Sequence, residues 1–331
     1  MWIHSIPAAN RVLLIGRKKN YNVIAYKGIP FVGKQPGGEL RWKAPVDFVP
    51  DVGIYEAYYY GKSPFQADGD PCSLYVMGED CLYLNVWKAA GDSLSPQSTK
   101  KPVMVWIYGG GFETGGTVDP QYDCTNFITE NPDVIVVTIA YRLAAEGWNM
   151  WANDRVEKKS KLMTDEENAL VESYLNSVPG EDWEKTTSLF TQSYFHVPAI
   201  RLSEYQTKAG GKVYTYLFTP EASVPMLKSG HAIEQSAVFG HPELIDLSGR
   251  AFDATFTKTM RKLWVQFAKT GNPSLSADIS PDGKAKEWPL YDLKDKQVMV
   301  LDEFDIHPAK ESDVKIVDWE RTFFLTKYYM L

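Results

Sequence analysis

VMVWIYGGGFETGG, Val103 to Gly116, joins six consecutive apolar residues to three consecutive glycines. An unbroken apolar run of this length reads as a strand buried on both faces. Such a strand needs a layer of structure on each side of its sheet. The glycines that follow can take positive φ angles and bring backbone N–H groups close to a common point. N–H groups aimed at one point can stabilise a developing oxyanion. The spacing is not a dinucleotide fingerprint, because no G-x-G-x-x-G with a helix behind it and a later ribose-binding acid is evident.

A second run of the same kind, VIVVTIAY, spans Val134 to Tyr141. The first third of the chain, rich in Pro, Gly and Tyr, reads as short strands and loops. Helical signals come later. Thr164 with Glu167 forms a capping box, and Leu170, Val171, Tyr174, Leu175 and Val178 fall on one face. PAIRLSEYQTKA, Pro198 to Ala209, opens with a first-turn proline and stops at Gly210-Gly211. VYTYLF, Val213 to Phe218, reads as a strand. Met260, Leu263, Trp264, Phe267 and Ala268 carry the spacing of an amphipathic helix, ended by Gly271. Val298 to Leu301 reads as the final strand. This alternation predicts an α/β fold with a mostly parallel central sheet flanked by helices, formed by residues 1–331 as a single domain.

Composition narrows the function. Of 331 residues, 44% are hydrophobic and 13% aromatic, enough for a large core, and the net charge of −7 offers no phosphate-tracking surface. RKK, Arg17 to Lys19, is the one basic cluster that stands out, so nucleic acid is not an expected partner. Cys72, Cys81 and Cys124 lack metal-ligand spacing. Three free thiols in a reducing compartment is the favoured reading, with a small-loop Cys72–Cys81 disulfide as the alternative. In MWIHSIPAANRVLLIGRKK the basic residues follow the apolar run, the wrong order for a signal peptide. No segment has the length of a membrane span. The expectation is a cytoplasmic protein without a metal or cofactor.

Several segments together resemble the type-B carboxylesterases, the family that includes the cholinesterases and bacterial para-nitrobenzyl esterases. These are AYKGIPFV (Ala25 to Val32), LRWKAP (Leu40 to Pro45), GEDCLYLNVW (Gly78 to Trp87), KPVMVWIYGGGF (Lys101 to Phe112), GHAIEQSAVFG (Gly230 to Gly240), FAKTGNPS (Phe267 to Ser274) and WPLYD (Trp288 to Asp292). The resemblance implies an α/β-hydrolase fold and a serine hydrolase acting on small carboxylic esters. It assigns two oxyanion donors to Gly110 and Gly111, the general base to His231, and the orienting acid to Glu146. Arg41 and Glu79 match a structural ion pair. The triad logic places the acid within hydrogen-bond reach of the base. His241 reads as a loop residue.

The nucleophile has no counterpart. The family carries its serine in a G-x-S-x-G elbow between the YRL strand and the acid loop, and the sequence contains no such motif. GKSPF at Gly61 and KSGH at Lys228 are the nearest fragments. VVTIAYRL runs at once into AAEGWNMW, so a block is read as missing near 143–146, and with it the central strand of the sheet. The expected function is therefore an ester hydrolase by descent, inactive as this chain. A non-catalytic binding module and a non-functional truncated gene product are the alternatives. Open strand edges should promote self-association, with Trp106, Ile107, Val136, Val137 and Ile139 uncovered unless 134–141 re-pairs with 213–218.

Overall fold

The computed structural model describes residues 3–8, 12–19, 22–47, 53–68, 71–91, 100–147, 165–245 and 248–314. Among them are ten strands: β1 Ile3–Ala8, β2 Val12–Lys18, β3 Val23–Pro30, β4 Gly53–Ala57, β5 Tyr83–Ala89, β6 Val103–Ile107, β7 Ile135–Ile139, β8 Tyr216–Phe218, β9 Gln297–Leu301 and β10 Ile306–Lys310. The described α-helices are α1 Thr125–Glu130, α2 Ala144–Gly147, α3 Asp165–Ser177, α4 Asp182–Thr191, α5 Val197–Lys208, α6 Gln235–Phe239 and α7 Ala254–Thr270. The chain divides into two compact units, residues 1–151 with 222–273, and residues 152–221 with 274–331.

The first unit is built on a seven-stranded sheet of order β1-β2-β3-β5-β7-β6, with β4 paired to β2. Both long apolar runs are strands, and they lie side by side in parallel from Val103↔Ile135 to Ile107↔Ile139. β7 pairs antiparallel with β5 on its other side. Only β2/β4 and β6/β7 are parallel in this sheet, so it is mixed. Trp87, Tyr26, Phe127, Ile24, Ile128, Leu143, Met260 and Leu263 are among the largest fully buried side chains of this unit.

β6 ends the strand order, and this changes its burial. Val103, Val105 and Ile107 are 54%, 58% and 64% exposed, so the strand read as buried on both faces covers only one. Trp106 is half-buried and Val136 is buried, contrary to the expectation that both would be uncovered. The reason is local. Trp106 points to the covered face and packs on Tyr122 and Phe239, while β7 has neighbours on both sides.

The amphipathic helix forms as α7. Asp253 caps it by accepting from the Thr255 and Phe256 N–H groups at 2.8 and 2.9 Å, and Gly271 ends it at a left-handed φ of 70°. Its buried face is Phe256, Met260 and Leu263, whereas Phe267 is half exposed.

The second unit holds α3, α4, α5 and a three-stranded sheet of order β10-β9-β8. The expected strand at 213–218 shortens to β8, which pairs parallel with β9 rather than with β7. The strand read as final is followed by β10, antiparallel to β9. The expected capping box at Thr164 lies outside the described residues. One is found instead on α4, where Glu181 and Glu184 bond reciprocally.

Candidate active site

The glycine loop leaves the end of β6. Tyr108 is buried, and Gly109, Gly110, Gly111 and Phe112 are exposed. The Glu113 and Thr114 N–H groups both donate to the Gly110 carbonyl, at 3.0 and 3.1 Å, which closes a tight turn. Gly110 has φ of 114°, and a Cβ there would stand 2.1 Å from the Thr114 carbonyl oxygen, so this position requires glycine. Gln66 pins the far side of the loop, accepting from the Gly115 N–H at 2.8 Å and donating to the Gly115 carbonyl at 2.9 Å. Among the described residues no backbone acceptor faces the Gly110 or Gly111 N–H.

The next segment docks on this loop. Tyr108 and Tyr141, at the ends of the two parallel strands, stack with centroids 4.4 Å apart. Past them, the Ala144 N–H donates to the Phe112 carbonyl at 2.8 Å. This brings α2, and with it Glu146, beside the glycine loop. Glu146 is half-buried and lines a small recess with Pro36, Gly37, Arg41, Trp42, Glu79 and Arg142. The space there is on the scale of one water molecule. Burial raises the Glu146 pKa and the Glu79 carboxylate adds to the rise, while Arg41 and Arg142 oppose it. Glu79 pairs with Arg41 as expected and also accepts from the Gly38 N–H at 2.9 Å. That backbone hydrogen bond is the largest cause of its lowered pKa.

His231 stands in a turn after Gly230 and is exposed. The charged groups that shift the Glu146 pKa are Glu79, Arg41 and Arg142. The segment that carries His231 is anchored near the glycine loop. Phe239 of α6 meets Trp106 of β6 edge-on at 4.8 Å, and Tyr122 packs against both.

Two residues that the sequence did not single out complete this anchor. His241, read as a loop residue, is buried, with Nε2 at 2.8 Å from the Asp123 carbonyl and Nδ1 at 2.9 Å from Glu243. Arg261 is also buried. It donates to the Ala237 carbonyl at 2.7 Å and makes a two-toothed pair with Glu130 at 2.7–2.9 Å. Asp123 and Glu130, the distant partners of the two, lie 118 and 131 residues away, so no local pattern records these contacts. Asp123 also pairs with Lys19 at 3.0 Å and Lys27 at 3.5 Å. Burial works to raise the Asp123 pKa, but the Thr125 hydroxyl and the two lysines outweigh it and hold it at about 2.

Cys72, Cys81 and Cys124 are buried and form no disulfide with one another. Among the described residues no group of three His, Cys, Asp or Glu side chains could hold a metal, and no helix is long and apolar enough to cross a membrane.

The carboxylesterase family profile matches residues 13–159 and 149–315. Over 133 residues the chain is 40% identical to acetylcholinesterase-1 of Trittame loki, covering 38% of this chain and 23% of that protein. Over 150 residues it is 33% identical to phenmedipham hydrolase of Pseudarthrobacter oxydans, covering 40% and 28%. The matched stretch therefore spans less than a third of these relatives' length. A solved thermophilic PNB esterase superposes with a TM-score of 0.75 at 19% identity, covering 96% of this chain and 99% of that one. A carboxylesterase of Geobacillus stearothermophilus gives 0.71 at 18% identity, covering 93% and 98%. The fold is that of the α/β-hydrolases, and the chain belongs to the type-B carboxylesterase family.

Proposed function

We propose that this chain is a carboxylic-ester hydrolase by descent that keeps the oxyanion loop, acid and base but does not turn esters over. The observation that carries the reading is the absence of any G-x-S-x-G from a sequence whose family match arrives in two segments. Their shared boundary, 149–159, lies just after the place where YRL runs into AAEGW. One domain interrupted near 143–146 accounts for both facts.

In this reading the Gly110 and Gly111 N–H groups would receive the carbonyl oxygen of a small ester. His231 would take a proton from the nucleophile and return it to the leaving alcohol, and Glu146 would orient the imidazole. With no serine to attack, no acyl-enzyme forms. Glu146 lies beside Arg41 and Arg142 in a small recess. A cytoplasmic location belongs to the same reading, supported by three buried thiols that form no disulfide with one another.

The test is steady-state hydrolysis of a short p-nitrophenyl ester by the chain and by His231→Ala. Equal rates, both at the buffer background, are expected. A rate that His231→Ala lowers severalfold would refute the reading. Exposed Val103, Val105, Ile107 and Phe112 favour a second reading, a non-catalytic binding module. Saturable binding of an uncleaved ester analogue or a protein partner, lost on Phe112→Ser, would move the assignment there.

A further inference from the structure

In the second unit, α4 passes into α5 without a break in helical backbone, through the turn Gln192–His196. The sequence explains why this turn is not α-helical. Pro198 has no N–H, and inside a helix its ring presses on the carbonyl four residues back, that of residue 194. The backbone widens to relieve the contact, and the Val197 N–H reaches back five residues to the Gln192 carbonyl. Such π turns are rare and frequently mark functional sites.

The widened turn holds two buried polar atoms. Gln192 Oε1 and His196 Nδ1 are both shut off from solvent without a hydrogen-bond partner. They lie four residues apart on a turn whose bond spans five, so they share one face of the helix. Their neighbours are satisfied. The Ser193 hydroxyl donates to the Leu189 carbonyl at 2.7 Å, and the Tyr174 and Ser188 hydroxyls bond to each other. A buried polar group without a partner is costly to a fold, and such a group calls for an explanation.

We propose that the Gln192–His196 turn is a proton-operated hinge, closed while His196 is neutral and opened between α4 and α5 when His196 is protonated. As an imidazolium both ring nitrogens are donors. Among the described residues, Asp165 and Glu172 on α3, Asp182, Glu184 and Lys185 on α4, and Arg201, Glu204 and Lys208 on α5 are not among the causes of the His196 shift. Glu204 is already taken by Arg201 at 3.2 Å and Lys296 at 3.0 Å. Burial alone lowers the His196 pKa from 6.5. The closed form is thus fully supported above the ordinary histidine range, and that support is lost as pH falls below about 6.5.

Hydrogen exchange on the full chain at about pH 7.5 and about pH 5.5, corrected for the intrinsic exchange rate, tests this directly. The amides of 192–200 should lose protection on acidification relative to α4 and the rest of α5. His196→Phe should keep protection at both values. Unchanged protection in the native chain, or an equal loss in His196→Phe, would overturn the proposal. If His196→Phe does not fold, titration of the His196 imidazole by NMR decides. A coincident titration and loss of protection supports the hinge, and titration with the turn intact overturns it.

Discussion

Tyr108 and Tyr141 exchange hydrogen bonds across the ends of two parallel strands. The Tyr108 hydroxyl donates to the Tyr141 carbonyl at 2.9 Å, the Tyr141 hydroxyl donates to the Tyr108 carbonyl at 2.8 Å, and the rings stack between them at 16°. The pair closes the sheet where the glycine loop begins. Tyr108→Phe and Tyr141→Phe should each cost about 1 kcal/mol, and the double variant should cost less than their sum, because the two bonds support one geometry. Urea melts of the four proteins measure this. Strict additivity would show that the two hydroxyls act independently.

Arg261 is 3% exposed and its charge is balanced by Glu130. Glu130→Gln leaves a buried guanidinium with one carbonyl and a neutral amide. The expected loss is about 2 kcal/mol, less than for a wholly buried pair because Glu130 is itself partly exposed. Thermal melts should show it, together with faster proteolysis of the segment that carries His231. A variant as stable as the native chain would remove Arg261 from the anchor.

The sign of the Glu146 effect is opposite to that of most carboxylates. Its folded pKa is raised above 4.5, chiefly by burial, so the folded chain disfavours the charged form. This penalty is present at neutral pH and is relieved as pH falls through the raised value. Glu146→Gln should therefore stabilise the chain slightly at neutral pH and have no effect below about 4.5. Melts of both proteins across this range decide it. Destabilisation at neutral pH would mean that the Arg41 and Arg142 attraction prevails.

The open edge of β6 should bring copies of the chain together, since Val103, Val105 and Ile107 are exposed on a strand with no charge or proline inside it. Val105→Lys should shift the chain toward monomer in size-exclusion chromatography with light scattering. An unchanged mass distribution would exclude this edge as the contact.

Both long apolar runs were legible as strands because their residue types leave little alternative, and the glycine loop followed from its position behind one of them. What the sequence could not convey was position in the sheet. VMVWI looks the same whether both its faces are covered or only one, and Val105 is exposed because its face of the strand is uncovered. β10 was missed because IHPAK alternates poorly and contains Pro308, a residue tolerated on an edge strand. The α4 capping box was missed because Glu181 is an unusual N-cap residue. At the site, Glu146 was legible as a loop carboxylate by resemblance. Its company of Arg41, Glu79 and Arg142 depends on contacts between distant segments that no local pattern records. The π turn has a local cause in Pro198, but a proline near a helix start normally marks N1 and was read so.

The central claim is that no residue of this chain acts as an esterase nucleophile. Stoichiometric labelling with a serine-directed organophosphonate, read by mass spectrometry of the intact chain and its peptides, tests it most directly. The account predicts no single-site adduct and no burst when an activated ester is added. The loss of the serine alone costs on the order of 10⁶ in turnover in a studied serine hydrolase. One adduct per chain at a single serine, formed in the folded protein and abolished by His231→Ala, would contradict it.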